Sequence, residues 1–357
     1  MSVYLDANAS EPLRPEALAA MLAAARAGGN PSSVHGAGRA ARRVLEDARE
    51  AVARRCGVRP AQVVFTAGGT EADALAVHAL GRGRHVVIGA TEHDAVRAAA
   101  RGAVVLPVDA QGVVRVAALA GLLEHPALVC VMLANNETGT IQPVAEIASV
   151  CRASGAWLHV DAAQAVGRMD VDMAALGADS LALSGHKLGG PAGAGALLIA
   201  DHVTVAPLIA GGGQERGWRG GTPALAAIAG LGAAVSCAPV AVQGLRDRLE
   251  QAAVACGAVV MGGGAARLGN TSCLALPGVS AQTQVMTLDL AGIAVSAGAA
   301  CSSGKVARSH VLDAMGAGAL AGQAIRVSLP WNVTADDIAA CIAAYQTMAR
   351  RLSPKAA

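Results

Sequence analysis

The chain has 357 residues, a formal net charge of +2 and 15% charged residues, so it offers no basic field for nucleic acid and enough length for two packed domains. Hydrophobic residues make up 54% but aromatics 2%, and the abundant alanine suits close helix packing. The first residues, Met1-Ser2-Val3-Tyr4-Leu5-Asp6, lack a basic region followed by a long apolar run, so the expected location is cytoplasmic.

In chain order, an extended start at Tyr4-Leu5-Asp6 leads through Pro12 and Pro15 to helical periodicity at 16–25 and 37–55. Asn30-Pro31-Ser32-Ser33 between them reads as a turn and cap. Short apolar runs at 63–66, 86–88, 104–106, 128–133, 157–160, 181–184 and 196–199 then alternate with helical patterns. That rhythm predicts a parallel sheet with right-handed crossovers. The uncharged stretch from Gly220 to Leu245 is long enough for a membrane span, but Pro223, Pro239 and several glycines break it, so it reads as a buried helix and its connection. Possible strands at 259–261, 272–276, 294–296 and 325–329 and a helix at 336–352 complete a smaller α+β unit. The predicted fold is thus α/β, with a large domain at 13–235 and a small one at 236–357 that the segment 1–12 joins.

Chemistry concentrates where the apolar runs end. Phe65-Thr66-Ala67-Gly68-Gly69-Thr70-Glu71 is a strand, a glycine turn and a helix start, either a phosphate cradle or an ordinary helix capped by Thr70. His93 in Thr91-Glu92-His93 follows the next strand and reads either as a ring-stacking proton shuttle or as a structural histidine. Asn135-Asn136-Glu137 is a turn or a pair of orienting amides. Asp161 ends Leu158-His159-Val160, where a carboxylate is costly without a cationic partner such as a protonated pyridine nitrogen, and Gln164 lies three residues on. Three of the 28 basic residues are lysines, Lys187, Lys305 and Lys355. A Schiff base needs a lysine, because a guanidinium cannot form the imine, and Lys187 in Ser184-Gly185-His186-Lys187 is the one at a strand end. An acid, an amide, small phosphate donors and one lysine together suggest pyridoxal phosphate. The eight cysteines show no C-x-x-C pair and no zinc spacing, so neither a disulfide framework nor a metal is expected.

In family order, Gly29–His35, Gly69-Thr70-Glu71, Thr91-Glu92-His93, Asn135-Asn136-Glu137, His159-Val160-Asp161, Ser184–Lys187, Gly221-Thr222 and Ser296–Gly304 resemble the cysteine desulfurases of the NifS/IscS type, fold-type I pyridoxal 5'-phosphate enzymes with a seven-stranded, mostly parallel sheet. The resemblance implies conversion of L-cysteine to L-alanine, with sulfur transferred as a persulfide on Cys301 for iron–sulfur cluster or other cofactor assembly. Selenocysteine lyase and cysteine-sulfinate desulfinase share the scaffold, and a non-catalytic sulfur carrier is the reading from another class. By resemblance, Lys187 holds the cofactor as a Schiff base and later moves the substrate proton, Asp161 pairs the ring nitrogen, Gln164 the phenolic oxygen, and His93 stacks on the ring. Gly69, Thr70, Ser184 and His186 would hold the phosphate, joined by Thr222 from the partner subunit of a homodimer. Arg326 would bind the substrate carboxylate with Asn136 assisting, and a sulfur-acceptor or scaffold protein is the implied partner. Gly189 and Ala192 stand where the family often has tyrosine and lysine.

Overall fold

The computed structural model describes residues 2–298 and 308–352. The chain runs β1 (Val3–Tyr4), α1 (Pro15–Ala27), α2 (Gly36–Arg55), β2 (Val63–Thr66), α3 (Gly69–Leu80), β3 (His85–Gly89), α4 (Asp94–Ala99), β4 (Val104–Leu106), α5 (Val116–Leu119), β5 (Ala127–Met132), α6 (Val144–Ser154), β6 (Trp157–Asp161), α7 (Met173–Leu176), β7 (Ser180–Ser184) and β8 (Gly195–Ile199). It continues through α8 (Leu225–Val235), α9 (Gln243–Ala255), β9 (Val259–Val260), β10 (Thr271–Ala275), α10 (Ala281–Leu290), β11 (Ile293–Ala294), α11 (His310–Ala314), β12 (Ala324–Ser328) and α12 (Ala335–Leu352).

The central sheet has seven strands in the order β2-β8-β7-β6-β5-β3-β4. Every residue of β5, β7 and β8 is buried, as expected of strands covered by helices on both faces. One feature departs from a wholly parallel sheet: β8 runs antiparallel to both β7 and β2. The short link from Ser184 to Gly195 contains a single 3-10 turn at Gly185–Lys187 and no crossover helix, and a parallel neighbour needs a crossover of a dozen residues or more.

Helix α2 buries Ala41, Leu45, Ala48 and Val52, one stripe at helical spacing. Asn30–Ser33 does form a turn, through Ser33 N–H donating to the Asn30 carbonyl at 2.9 Å. The cap is His35, whose Nδ1 accepts from Gly38 N–H at 3.2 Å. Helix α8 lies within the long uncharged stretch and packs against α1 and α2. Its glycines permit this approach, since a Cβ at Gly232 would stand 2.7 Å from that of Ala48. Among the described residues no helix is long and apolar enough to cross a membrane.

A second core joins Leu5 to Leu249, Leu274, Ile325, Ile338 and Tyr345. It is built on the antiparallel sheet β12-β10-β9 and the parallel pair β1-β11. Strands β9 and β11 are shorter than the runs that predict them, because their flanking residues bend into loops.

A buried ion pair fixes the segment that ends at Thr222. Arg49 Nη1 and Nη2 each donate to Glu215 at 2.8 Å, and Phe65 N–H donates to Glu215 Oε2 at 2.9 Å. Among the described residues Glu215 and Arg216 are the non-glycine residues with positive φ, +46° and +59°, a strain that persists where the surroundings dictate it. Glu215→Gln leaves the buried guanidinium with only the partly exposed Glu46, 3.0 Å from Nε, as counter-charge and is expected to cost about 3 kcal/mol of stability, read by denaturant unfolding. A change below about 1 kcal/mol would show the pair to be dispensable.

Candidate active site

The C-terminal ends of β2, β3, β5, β6 and β7 open into a pocket of about 1160 Å³. Its wall contains Gly69, Thr70, His93, Asn136, Asp161, Gln164, Ser184, His186, Lys187 and Arg326. The topology explains the convergence, because parallel strands bring all their C-terminal ends to one edge of the sheet.

Lys187 sits in the 3-10 turn that follows β7. Its Nζ donates to the carbonyls of Asn8 at 2.6 Å and Ala9 at 2.9 Å. Desolvation, then the positive charges of Arg326 and Arg168, bring its pKa down to about 8. A depressed lysine is one whose neutral, nucleophilic form is accessible near neutral pH.

Asp161 closes β6 and is 7% exposed. Its Oδ1 accepts from Ala163 N–H at 2.9 Å, and no arginine or lysine pairs with it among the described residues. Burial, and next the nearby Asp73, raise it to about 6. A carboxylate in this setting gains from a cation delivered to the pocket.

Helix α3 begins at Gly69 with Gly68 as its N-cap, so Thr70 lies inside the first turn rather than capping it. The glycine turn removes the need for a hydroxyl cap. First-turn N–H groups have no upstream carbonyl within the helix to meet, which makes the end of α3 an anion cradle. A Cβ at Gly69 would approach that of Ser184 to 3.3 Å, so a side chain there would narrow the space between α3 and β7. His186 stands nearby with Nδ1 3.4 Å from Ser10 Oγ. Desolvation and the charge of Lys187 lower it to about 4, leaving a neutral ring at pH 7.

His93 is the N-cap of α4, its Nδ1 accepting from Ala95 N–H at 3.1 Å, and it is exposed on the pocket side. Gln164 is more engaged than its sequence position suggests. Its Nε2 donates to the Asn8 carbonyl at 3.0 Å, and its Oε1 accepts from Arg168 at 2.6 Å, leaving one amide hydrogen for a ligand. Arg326 is 4% exposed, with Nη2 donating to Asp6 Oδ1 at 2.7 Å, Nη1 to the Asn136 carbonyl at 3.2 Å, and Nε without a partner among the described residues. Asn136 thus meets Arg326 through its backbone. Thr222 is exposed and lies outside this pocket's wall in the single chain. Cys301 and Lys305 lie outside the described residues.

Sequence reading misses the role of Asn8. Its carbonyl receives Lys187 and Gln164, its Nδ2 donates to Asn136 O and Thr271 Oγ1, and Asn270 donates to its Oδ1. A single asparagine in an N-terminal turn carries no local signal of such distant partners. Glu137, Arg308 and His310 also line the pocket. Ser309, which caps α11, donates to Glu137 Oε2 at 2.6 Å.

Residues 3–341 match the family model described as aminotransferase class-V. The chain is 41% identical over 372 aligned positions to an IscS-like cysteine desulfurase of Mycobacterium tuberculosis, covering 95% of this chain and 94% of that protein. It is 45% identical to a cysteine desulfurase of Cereibacter sphaeroides, covering 94% and 92%. In structure it resembles a NifS-like protein from Rickettsia africae, with a TM-score of 0.89, 31% identity and coverage of 98% and 99%. With this fold and relatives of this kind along nearly its whole length, the chain belongs to the class-V aminotransferase family, among the cysteine desulfurases of the NifS/IscS type.

Proposed function

We propose that this enzyme releases sulfur from L-cysteine, leaving L-alanine and a persulfide on Cys301, with pyridoxal phosphate as cofactor. The observation that carries the reading is the pairing in one pocket of a depressed lysine, Lys187, with a buried carboxylate, Asp161, that has no arginine or lysine partner among the described residues. The residues fit the cofactor at each end. Asp161 offers its charge to the ring nitrogen, and the start of α3 with Ser184, Thr70 and neutral His186 offers donors to the phosphate. When bound, the cofactor supplies an aldehyde for imine formation and a ring that withdraws electrons from the substrate α-carbon.

The side chains then divide the work. Lys187 would hold the cofactor through its Nζ, and its free amine would be placed to take the substrate α-proton. His93 lines the pocket, where its ring would stack on the cofactor, and Gln164 has one further N–H for the phenolic oxygen. Arg326 would receive the substrate carboxylate as a planar donor, using the Nη hydrogens not given to Asp6 and Asn136. The Cys301 thiolate would attack the substrate sulfur: the S–S bond forms as the C–S bond breaks, the C–S electron pair stays with the carbon skeleton, and a proton taken up at the β-carbon completes the methyl group of alanine.

Five other cysteines fit this role poorly. Burial pushes the thiols of Cys56, Cys151 and Cys341 up to about 12 and raises those of Cys130 and Cys273, so all five stay protonated and inert. Cysteine desulfurases generally dimerise. In a homodimer Thr222, held out on the segment anchored by Glu215, would add a phosphate donor to the partner's pocket. A sulfur-acceptor protein would then take the persulfide sulfur.

The assignment is tested by measuring alanine release from L-cysteine, selenocysteine and cysteine sulfinate by protein loaded with pyridoxal phosphate. L-cysteine should be turned over with persulfide formation; release from the selenium or sulfinate compound alone would move the assignment to the neighbouring activities. Arg326→Gln should raise the KM for L-cysteine by about 10- to 100-fold, the loss of a charge-assisted hydrogen-bond pair, while kcat changes less. An unchanged KM would remove Arg326 from the substrate site.

A further inference from the structure

Behind the pocket lies a buried line of polar groups that substrate binding does not use. Asp73 on α3 is 2% exposed and reaches the pocket wall. Its Oδ1 is 3.2 Å from His159 Nε2, and His159 Nδ1 is 2.8 Å from Ser180 Oγ, so the line crosses from α3 through β6 to β7. His159 stands two residues before Asp161 on the same strand.

The charged and titratable neighbours are predominantly acids. Glu92 faces the group from the β3–α4 turn, with Oε1 accepting from Met132 N–H at 2.8 Å and Oε2 unpartnered among the described residues. Cys130 faces it from β5, and both Glu92 and Asp161 feel the charge of Asp73. Opposing these, His93 acts on Asp161 and Arg97 on Glu92. Three buried carboxyl groups with so little positive charge cannot all ionise. Burial raises Asp73 to about 8 and Glu92 well above the carboxylate range, whereas Asp161, bonded to Ala163 N–H, rises to about 6. Desolvation lowers His159 to about 4, so it is a neutral ring that can accept the Asp73 proton at Nε2 while Nδ1–H donates to Ser180.

We propose that Asp73 is a positioning residue for Asp161: the proton held between Asp73 and His159 keeps this wall to a single negative charge, located on Asp161 where the cofactor nitrogen binds. Above the titration of Asp73 a second charge appears beside Asp161 and tightens the hold on the ring proton. This rests on the pocket holding pyridoxal phosphate, so the test has an arm without it.

In cofactor-free protein, the infrared difference between wild type and Asp73→Asn should contain a carboxylic-acid C=O stretch near pH 6 that disappears as the pH rises through about 8. A carboxylate band near pH 6 would overturn the proposal. In the second arm, protein loaded with pyridoxal phosphate carrying nitrogen-15 in its ring should show a titration step near pH 8 in the wild type that Asp73→Asn lacks, with equal shifts near pH 6. Persistence of the step would also overturn it. Where Asp73→Asn does not fold, His159→Phe serves instead, because it removes the ring nitrogen that accepts the hydrogen bond from protonated Asp73. It should displace the step by about tenfold or more in proton concentration, and an undisplaced midpoint contradicts the proposal. Failure to bind the cofactor at all would refute the proposed function while leaving the infrared result to decide this one.

Discussion

Lys187→Ala should lower alanine release by at least about 10³-fold and abolish the visible absorbance that the enzyme gains with pyridoxal phosphate. The loss follows from chemistry rather than folding. Lys187 Nζ bonds two carbonyls of the N-terminal segment, Asn8 and Ala9, while the same segment is held by Asn8 N–H to Ser328 Oγ at 2.9 Å and by Asp6 to Arg326. Lys187→Arg separates charge from nucleophile, since it keeps a cation and donors but cannot form an imine. Arginine should therefore be as inactive as alanine. Turnover by Lys187→Arg within about tenfold of wild type would mean that Lys187 acts only as a positive charge, and that the catalytic reading is wrong.

Cys301→Ser should suppress desulfurase turnover by about 10³-fold or more and leave the cofactor's absorbance intact, because a hydroxyl cannot act as the sulfur acceptor. The two variants thus fail differently: one without the cofactor's signature, the other with it. Substitution of the buried Cys130 or Cys273 by alanine serves as a control. These thiols lie within the sheets, and their loss should affect stability more than turnover. Equal turnover by Cys301→Ser and wild type would transfer the acceptor role to another group.

Much of the fold is legible because its strands are short, apolar and regularly separated. The runs at 63–66 and 104–106 match β2 and β4, and the remaining strands of the large sheet differ by a residue or so at their ends. The orientation of β8 was hidden, since an antiparallel and a parallel strand have the same apolar composition and only the short link from β7 betrays the difference. At the site, Lys187 stands out by scarcity and Asp161 by the cost of a carboxylate after an apolar run. The partners that tune them are invisible locally: Asn8 is 179 residues from Lys187, and Asp73 is 86 from His159. Likewise the Arg49–Glu215 pair spans 166 residues and joins two segments with no common pattern. Side chains whose roles depend on such distant meetings acquire them from topology alone.

The central claim is that sulfur leaves cysteine through this pocket and arrives on one thiol. Mass spectrometry of peptides from the cofactor-loaded enzyme after brief exposure to L-cysteine, before any thiol is added, tests it directly. The account predicts one extra sulfur on the peptide carrying Cys301, sensitive to reductant and absent in Lys187→Ala. Alanine release without that added sulfur, or added sulfur on another cysteine peptide, would contradict it.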